Sequence, residues 1–189
     1  MKSVLISTRP KLVEKICHKI GEDETGKAIY EKRIEVRKTA PKEVPFKAYI
    51  YETKGQYIKF IHGAHTKYGY GCGKVIGEFV CDKVEKLEEH IEQGGLYYIL
   101  SDTFNEQAQL DNWELHDYGK GKTLYGWHIN DLKIYDKLKE LSEFRKPCDR
   151  FLDCCTCRRL VHNEYMSCDN KITRPPLSWC YVEDLGEEE

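Results

Sequence analysis

The chain has 189 residues, 40% of them hydrophobic and 33% charged, with 30 Lys/Arg against 32 Asp/Glu for a net charge of −2. That length suits one domain of ordinary size with room for an appendage, and the apolar share is enough to bury a real core. The strong positive balance of a non-specific nucleic-acid binder is missing, no apolar run approaches the roughly 20 residues that cross a bilayer, and MKSVLISTRPKL is too polar for a signal peptide, which places the protein in the cytoplasm.

In chain order, KSVLIS (2–7) predicts a short strand ending near Arg9-Pro10. A helix follows through KLVEKICHKI, with Leu12, Val13, Ile16, Cys17 and Ile20 at helical spacing and Gly21 as its stop. EDETGKAIYE is a polar connection with room for a short hairpin. Residues 32–38 then alternate, Ile34 and Val36 against Arg33, Glu35 and Arg37, so this strand has an oily face and a densely charged one. After the two-proline turn APKEVP, FKAYIYET predicts a strand with Phe46, Ala48 and Ile50 on one face.

GQYIKFIHGAHTKYGYGCG is rich in Gly and Tyr and reads as a mobile connection. GYGCGK within it is no phosphate loop, because the four-residue gap before Gly-Lys is missing and Val75 stands where Ser or Thr is required. KVIGEFVCDKVEKL predicts a strong strand, LEEHIEQGG a short exposed helical turn, and FNEQAQLDNWELHDYGKG a partly helical stretch. LYGWHINDLKIYD reads as a strand or strand pair. ITRPPLSWCYVEDL is extended, with a final strand through Ser178–Val182, and GEEE is an acidic tail. This order lacks even βαβ alternation and predicts an α+β, mostly β fold: a small curled barrel with flanking helices.

Charge is uneven along the chain. Residues 1–60 carry 14 Lys/Arg against 8 Asp/Glu, residues 61–120 carry 5 against 11, and residues 121–189 carry 11 against 13. A basic first third suits a polyanionic partner, and a mixed solvated surface would give the same count.

On the charged face of 32–38, Arg33, Glu35 and Arg37 have Cβ atoms about 7 Å apart along the strand. A carboxylate between guanidiniums holds them in place and can accept from an exocyclic amine on a base edge, while the arginines can stack on a base or grip phosphate. A surface ion-pair ladder, at about 0–1 kcal/mol per pair, is the alternative. Arg9 and Lys11 in TRPK are further phosphate candidates or helix-start solvation. Trp127 in YGWHI is a candidate to stack a base or a core residue, with neighbouring His128 on the other face.

LISTRPKLVEKI, KRIEVRKTAPKEVPFKAYIY, GKVIGEFVCDKV and YGWHINDLKIYDKLKELSEF, in this order, resemble the ASCH domain (activating-signal-cointegrator homology) of small bacterial and phage proteins. The hallmark is a basic residue followed by an E-x-R strand after the first helix, here Lys32, Glu35 and Arg37, and the match spans residues 1–145. The resemblance implies a PUA-like barrel with a cleft on one side that binds RNA or a modified nucleobase. Some ASCH proteins hydrolyse acetylated cytidine, with Lys32 matching their base, and others are described as ribonucleases. The hydrolases place a threonine nucleophile where this chain has Glu35; Thr39 is no obvious replacement, and Glu78, Asp111 and Glu114 are unaligned options for the acidic partner. An accessory protein-interaction role is a third reading.

Nine cysteines are many for a cytosolic chain, and six fall between Cys148 and Cys180. Cys154 and Cys157 have the spacing of a zinc turn, and Cys148 and Cys168 complete a tetrahedron, with His162 or Cys180 as substitutes. A piece this short and poor in large aliphatics needs a staple, so residues 146–189 predict a structural-zinc extension; packed thiols, or redox and disulfide chemistry, are the alternatives. If SWCYVE folds back as an edge strand, Arg174 comes within reach of the cleft.

Overall fold

The architecture is that of a computed structural model, which describes residues 1–61, 65–92, 95–98, 100–101, 103–147 and 170–186. The first half of the chain forms β1 (Lys2–Thr8), α1 (Pro10–Cys17), β2 (Lys19–Glu22), β3 (Ala28–Tyr30), β4 (Ile34–Arg37), β5 (Phe46–Glu52), β6 (Gln56–Ile61), β7 (His65–Tyr70) and β8 (Val75–Cys81). Then come β9 (Val84–Leu87), β10 (Glu89–Glu92), β11 (Gly95–Tyr98), α2 (Phe104–Ala108), α3 (Asn112–Gly119), β12 (Leu124–His128), β13 (Asn130–Lys139) and β14 (Trp179–Val182).

The main sheet has five strands in the order β13-β8-β5-β1-β14, with β1 and β5 parallel and the other pairs antiparallel. A second sheet has the order β4-β12-β9, and three hairpins, β2–β3, β6–β7 and β10–β11, stand outside both. The class is therefore α+β and mostly β. The hydrogen-bonded ladders of the described residues do not close into the barrel that the sequence predicts. Among the described residues no helix is long and apolar enough to cross a membrane.

β5 is central and apolar on both sides. Phe46, Ala48 and Ile50 enter one core with Val4, Ile6 and Phe79, while Tyr49 and Tyr51 enter another with Leu5, Phe144 and Val182. In β8 alternation breaks at Ile76, the extra residue of a register shift opposite Ile50/Tyr51, so that Ile76 joins the core of Phe79 and Cys81 while Val75 joins the other. Gly77 is required where β13 crosses: a Cβ there would lie 2.5 Å from the Lys133 carbonyl oxygen.

α1 starts as predicted, with Pro10 presetting the first turn and Val13 and Ile16 buried. It ends at Cys17 rather than at Gly21: His18 is extended, and Ile20 is an exposed residue of β2. The two sheets meet at Trp127 of β12, which is fully buried and packs edge-on against Phe46 at 5.0 Å and Trp179 at 5.8 Å. Beneath the second sheet, Ile34 and Val36 pack with Phe104, Leu115 and Leu124 under α2 and α3.

Two segments differ from expectation. Within the Gly/Tyr-rich connection Gln56–Ile61 and His65–Tyr70 pair as the ribbon β6–β7, and Glu89–Glu92 of LEEHIEQGG form β10, paired with β11, in place of a helical turn. The last described segment returns to the main sheet, with β14 antiparallel to β1 and Ile172 and Val182 in the core. The chain leaves and returns at one point, where Lys146 N–H donates to Asn170 O at 2.9 Å and Ile172 N–H to Phe144 O at 2.8 Å.

Candidate functional site

β4 carries two buried faces of opposite character. Pairing with β12 on one side sets the alternation that sends Ile34 and Val36 towards α2 and α3 and leaves Glu35 and Arg37 on the other face. Lys32 lies ahead of the strand, where its N–H donates to Lys15 O and the Arg33 N–H to Gln107 O. From there its side chain reaches the same carboxylate despite the opposite parity. Side-chain exposure is 0% for Lys32, 3% for Glu35 and 6% for Arg37, so this is no solvated ion-pair ladder.

Each charge is held differently. Lys32 Nζ donates to Ile34 O at 2.7 Å and Ala108 O at 2.6 Å, and lies 3.5 Å from Glu35 Oε2. Ala108 is the last residue of α2, so the ammonium also sits at a helix C-terminus. Burial lowers the Lys32 amine below its ordinary 10.5, with Glu35 opposing that shift in part. Arg37 Nη1 donates to Ser7 O at 3.0 Å and Ser178 O at 3.2 Å; Nη2 donates to Thr8 Oγ1 at 3.1 Å and meets Glu35 Oε1 at 2.8 Å. The guanidinium thereby ties β1, β4 and the approach to β14 together.

Two atoms of this cluster are left over. Among the described residues Glu35 Oε2 and Arg37 Nε are buried without a hydrogen bond of good geometry, although Oε2 keeps an ion pair with Lys32 Nζ at 3.5 Å. Such atoms are costly to bury, about 1–3 kcal/mol each and more for charged groups, so a native structure that keeps them has a reason. Chemically one is an acceptor and the other a donor, on two side chains joined through Glu35 Oε1 and Arg37 Nη2.

The other predicted residues fall elsewhere. Arg33 precedes β4 and is not part of the cluster; its side chain is partly exposed and lies 3.8 Å from Glu106. Trp127 is a core residue with no face open for stacking, and His128 is half-buried with Nε2 2.9 Å from Glu85 Oε1. Arg174 is exposed, and no contact joins its side chain to the cluster. Thr39 accepts from Trp179 Nε1 at 2.9 Å, which gives this hydroxyl a structural use.

Tyr118 of α3 was not legible in the sequence, yet it neighbours the site. It is half-buried, and burial raises its phenol, with Arg37 and Arg9 lowering it and Glu35 raising it. Lys38 Nζ lies 5.0 Å from the centre of its ring. The ring also packs against the core formed by Ile34, Val36 and Leu115. Arg9 also lines a groove of about 660 Å³ with Pro10, Lys11, Thr53, Gly55, Gln56 and Tyr57.

The zinc candidates Cys148, Cys154, Cys157 and Cys168, and the substitute His162, lie outside the described residues. Cys180 sits half-buried in β14 against the Leu5–Tyr49 core, and burial raises its thiol, which makes it a packing residue. Among the described residues no group of three or more His, Cys, Asp or Glu could hold a metal. No protein-family model matches the chain, and no curated protein matches it.

Proposed function

We propose that the protein binds RNA or a modified nucleobase by seating a base edge against Glu35 and Arg37. The observation that carries the reading is that Glu35 Oε2 and Arg37 Nε, buried in one charged cluster, lack a well-formed hydrogen bond among the described residues. A base edge with an exocyclic amine beside a ring acceptor would donate to the carboxylate and accept from the guanidinium, satisfying both at once. Tyr118, with Lys38 displaced from its ring, would supply the stacking surface, and Lys32, ion-paired to Glu35 and donating to Ile34 O and Ala108 O, spends no donor on the ligand. The likeness to ASCH domains supports the same ligand class. It also supports taking the two sheets, joined through Trp127, as parts of a PUA-like barrel. Calorimetric titration of nucleosides and short single-stranded RNA into the wild type and Glu35→Gln tests the reading. Binding by the wild type with a loss of at least about tenfold in the variant is expected for a hydrogen bond to a charged group. Equal binding by both would sink it.

A hydrolytic reading has one observation in its favour, the depressed Lys32 amine, which suits a general base. Against it, Nζ already donates to two carbonyls, and Glu35 occupies the place of the hydroxyl nucleophile. Mass spectrometry after incubation with acetylated cytidine decides it, and unchanged substrate at high enzyme concentration rejects it.

For the cysteine-rich stretch we propose structural zinc on Cys148, Cys154, Cys157 and Cys168. The support is the spacing of these thiols, together with the Lys146–Asn170 hydrogen bond that brings the flanking described residues together. One zinc per chain in protein purified without chelator, reduced in Cys154→Ser, is the expected analysis; metal-free protein would reject it.

A further inference from the structure

The groove beside α1 has a composition that the base seat does not explain. Its lining contains Arg9 and Lys11 and no Asp or Glu. Many of the chain's lysines are paired: Lys2, Lys19, Lys27, Lys47, Lys74, Lys83 and Lys86 each lie against a carboxylate. Among the described residues neither Arg9 nor Lys11 has an ion pair or a side-chain hydrogen bond, and both are exposed. Two cations share a cavity of about 660 Å³ without a counter-charge, and Thr53, Gln56 and Tyr57 add neutral donors to the same wall. The wall is built closely. A Cβ on Gly71 would lie 1.7 Å from Thr53 O and 2.7 Å from Pro10 Cγ, so only glycine lets the end of the β6–β7 ribbon close against the start of α1.

The groove is also one residue along the chain from the charged cluster. Thr8 Oγ1 accepts from Arg37, the following residue is Arg9, and the Arg9 charge acts on the Tyr118 phenol as Arg37 does. Arg9 is therefore the link between the two places.

We infer that this groove takes a phosphoryl group, carried by the same ligand whose base meets Glu35 and Arg37. The inference rests on the nucleobase reading for the identity of that ligand. Guanidinium and ammonium groups meeting phosphate oxygens make charge-assisted hydrogen bonds, and a cavity of about 660 Å³ is large enough for a phosphoryl group.

Titration calorimetry with four probes tests it: a nucleoside, its 5′-monophosphate, a dinucleoside monophosphate and inorganic pyrophosphate. The proteins are the wild type, Lys11→Ala, Arg9→Ala/Lys11→Ala, and Glu35→Gln as the base-side control. The phosphorylated forms should bind the wild type about tenfold or more tighter than the nucleoside, the increment of one charged hydrogen bond. Lys11→Ala should narrow that ratio and the double variant should close it, while Glu35→Gln weakens all three nucleoside-bearing probes together. A gain shared by the dinucleoside monophosphate assigns the groove to a backbone phosphodiester, and a gain confined to the 5′-monophosphate assigns it to a terminal phosphate. Equal affinity for nucleoside and phosphorylated forms, or a ratio that survives in the double variant, overturns the inference. Should the wild type bind pyrophosphate but no nucleoside, with pyrophosphate lost in the double variant, the base reading falls and the phosphoryl site stands. Binding of neither overturns both.

Discussion

β5 and β4 are both sunk in the protein, and they meet the cost of burial in opposite ways. β5 sends Phe46, Ala48 and Ile50 to one side and Tyr49 and Tyr51 to the other, and its one buried hydroxyl with a charged partner, Tyr49, donates to Asp184 at 2.5 Å. β4 gives one side to Ile34 and Val36 and the other to a glutamate and an arginine, with Lys32 reaching in from ahead of the strand. The first arrangement gains stability from apolar area removed from water. The second is expensive, because each charge must be desolvated and its partners recover only part of that cost. Stability alone would favour apolar residues at both strands. The charged strand, where buried charges and two atoms without a well-formed hydrogen bond fall together, departs from what packing requires, and such departures concentrate at functional sites.

Substitutions can separate the two strands. The largest effects should be on stability, and similar in size: Phe46→Ala opens a cavity beside Trp127, and Arg37→Ala strands the Glu35 carboxylate, each costing about 3–5 kcal/mol by denaturant unfolding. They should differ in binding, since Phe46→Ala leaves the base seat intact in the folded fraction and Arg37→Ala removes it. Glu35→Gln keeps shape and should cost about 1–3 kcal/mol in stability, less than either, while losing the ligand. Tyr118→Ala should weaken ligand binding by about 1–3 kcal/mol, the measured range for base–aromatic stacking.

The smallest effect is a pH dependence. Lys32 has a folded-state amine below 10.5, so the unfolded chain binds the extra proton in the interval between the two values. Stability contributed at this site therefore rises with pH up to about 10.5, and the wild type should gain on Lys32→Met as pH climbs through that interval. The thiols of Cys17 and Cys81, pushed up to about 11 and about 12, act in the opposite sense and weaken the fold as pH rises past their ordinary 9.0. Both proteins share those thiols, so the difference between them isolates Lys32. An unchanged difference from pH 7 to pH 10.5 would contradict the assignment.

Local pattern carried β1, the start of α1, β5, β8, the β12–β13 pair and the returning edge strand β14 into the sequence reading. It failed where non-local pairing decides. Glu89–Glu92 has helix-tolerant residues, but their backbone pairs with Gly95–Tyr98, and the β6–β7 ribbon likewise rests on a partner strand that composition does not announce. At the site, alternation placed Glu35 and Arg37 together but wrongly added Arg33, which precedes the strand and points to Glu106. Lys32 joined by reach rather than by parity, with resemblance supplying the reason to look. Tyr118 had no local signal at all: it belongs to the site because α3 packs beside β4, a fact of tertiary structure.

The central claim is that Arg37 and Glu35 keep free valences for a base edge. Its most direct test is the Arg37 Nε–H resonance in a proton–nitrogen correlation spectrum, assigned by loss of the signal in Arg37→Lys and followed during titration with the nucleoside that binds tightest. The account predicts that this proton gains an acceptor at saturation, with a downfield shift and slowed exchange that are both absent in Glu35→Gln. A saturated protein whose Arg37 Nε–H signal stays where it began would contradict it.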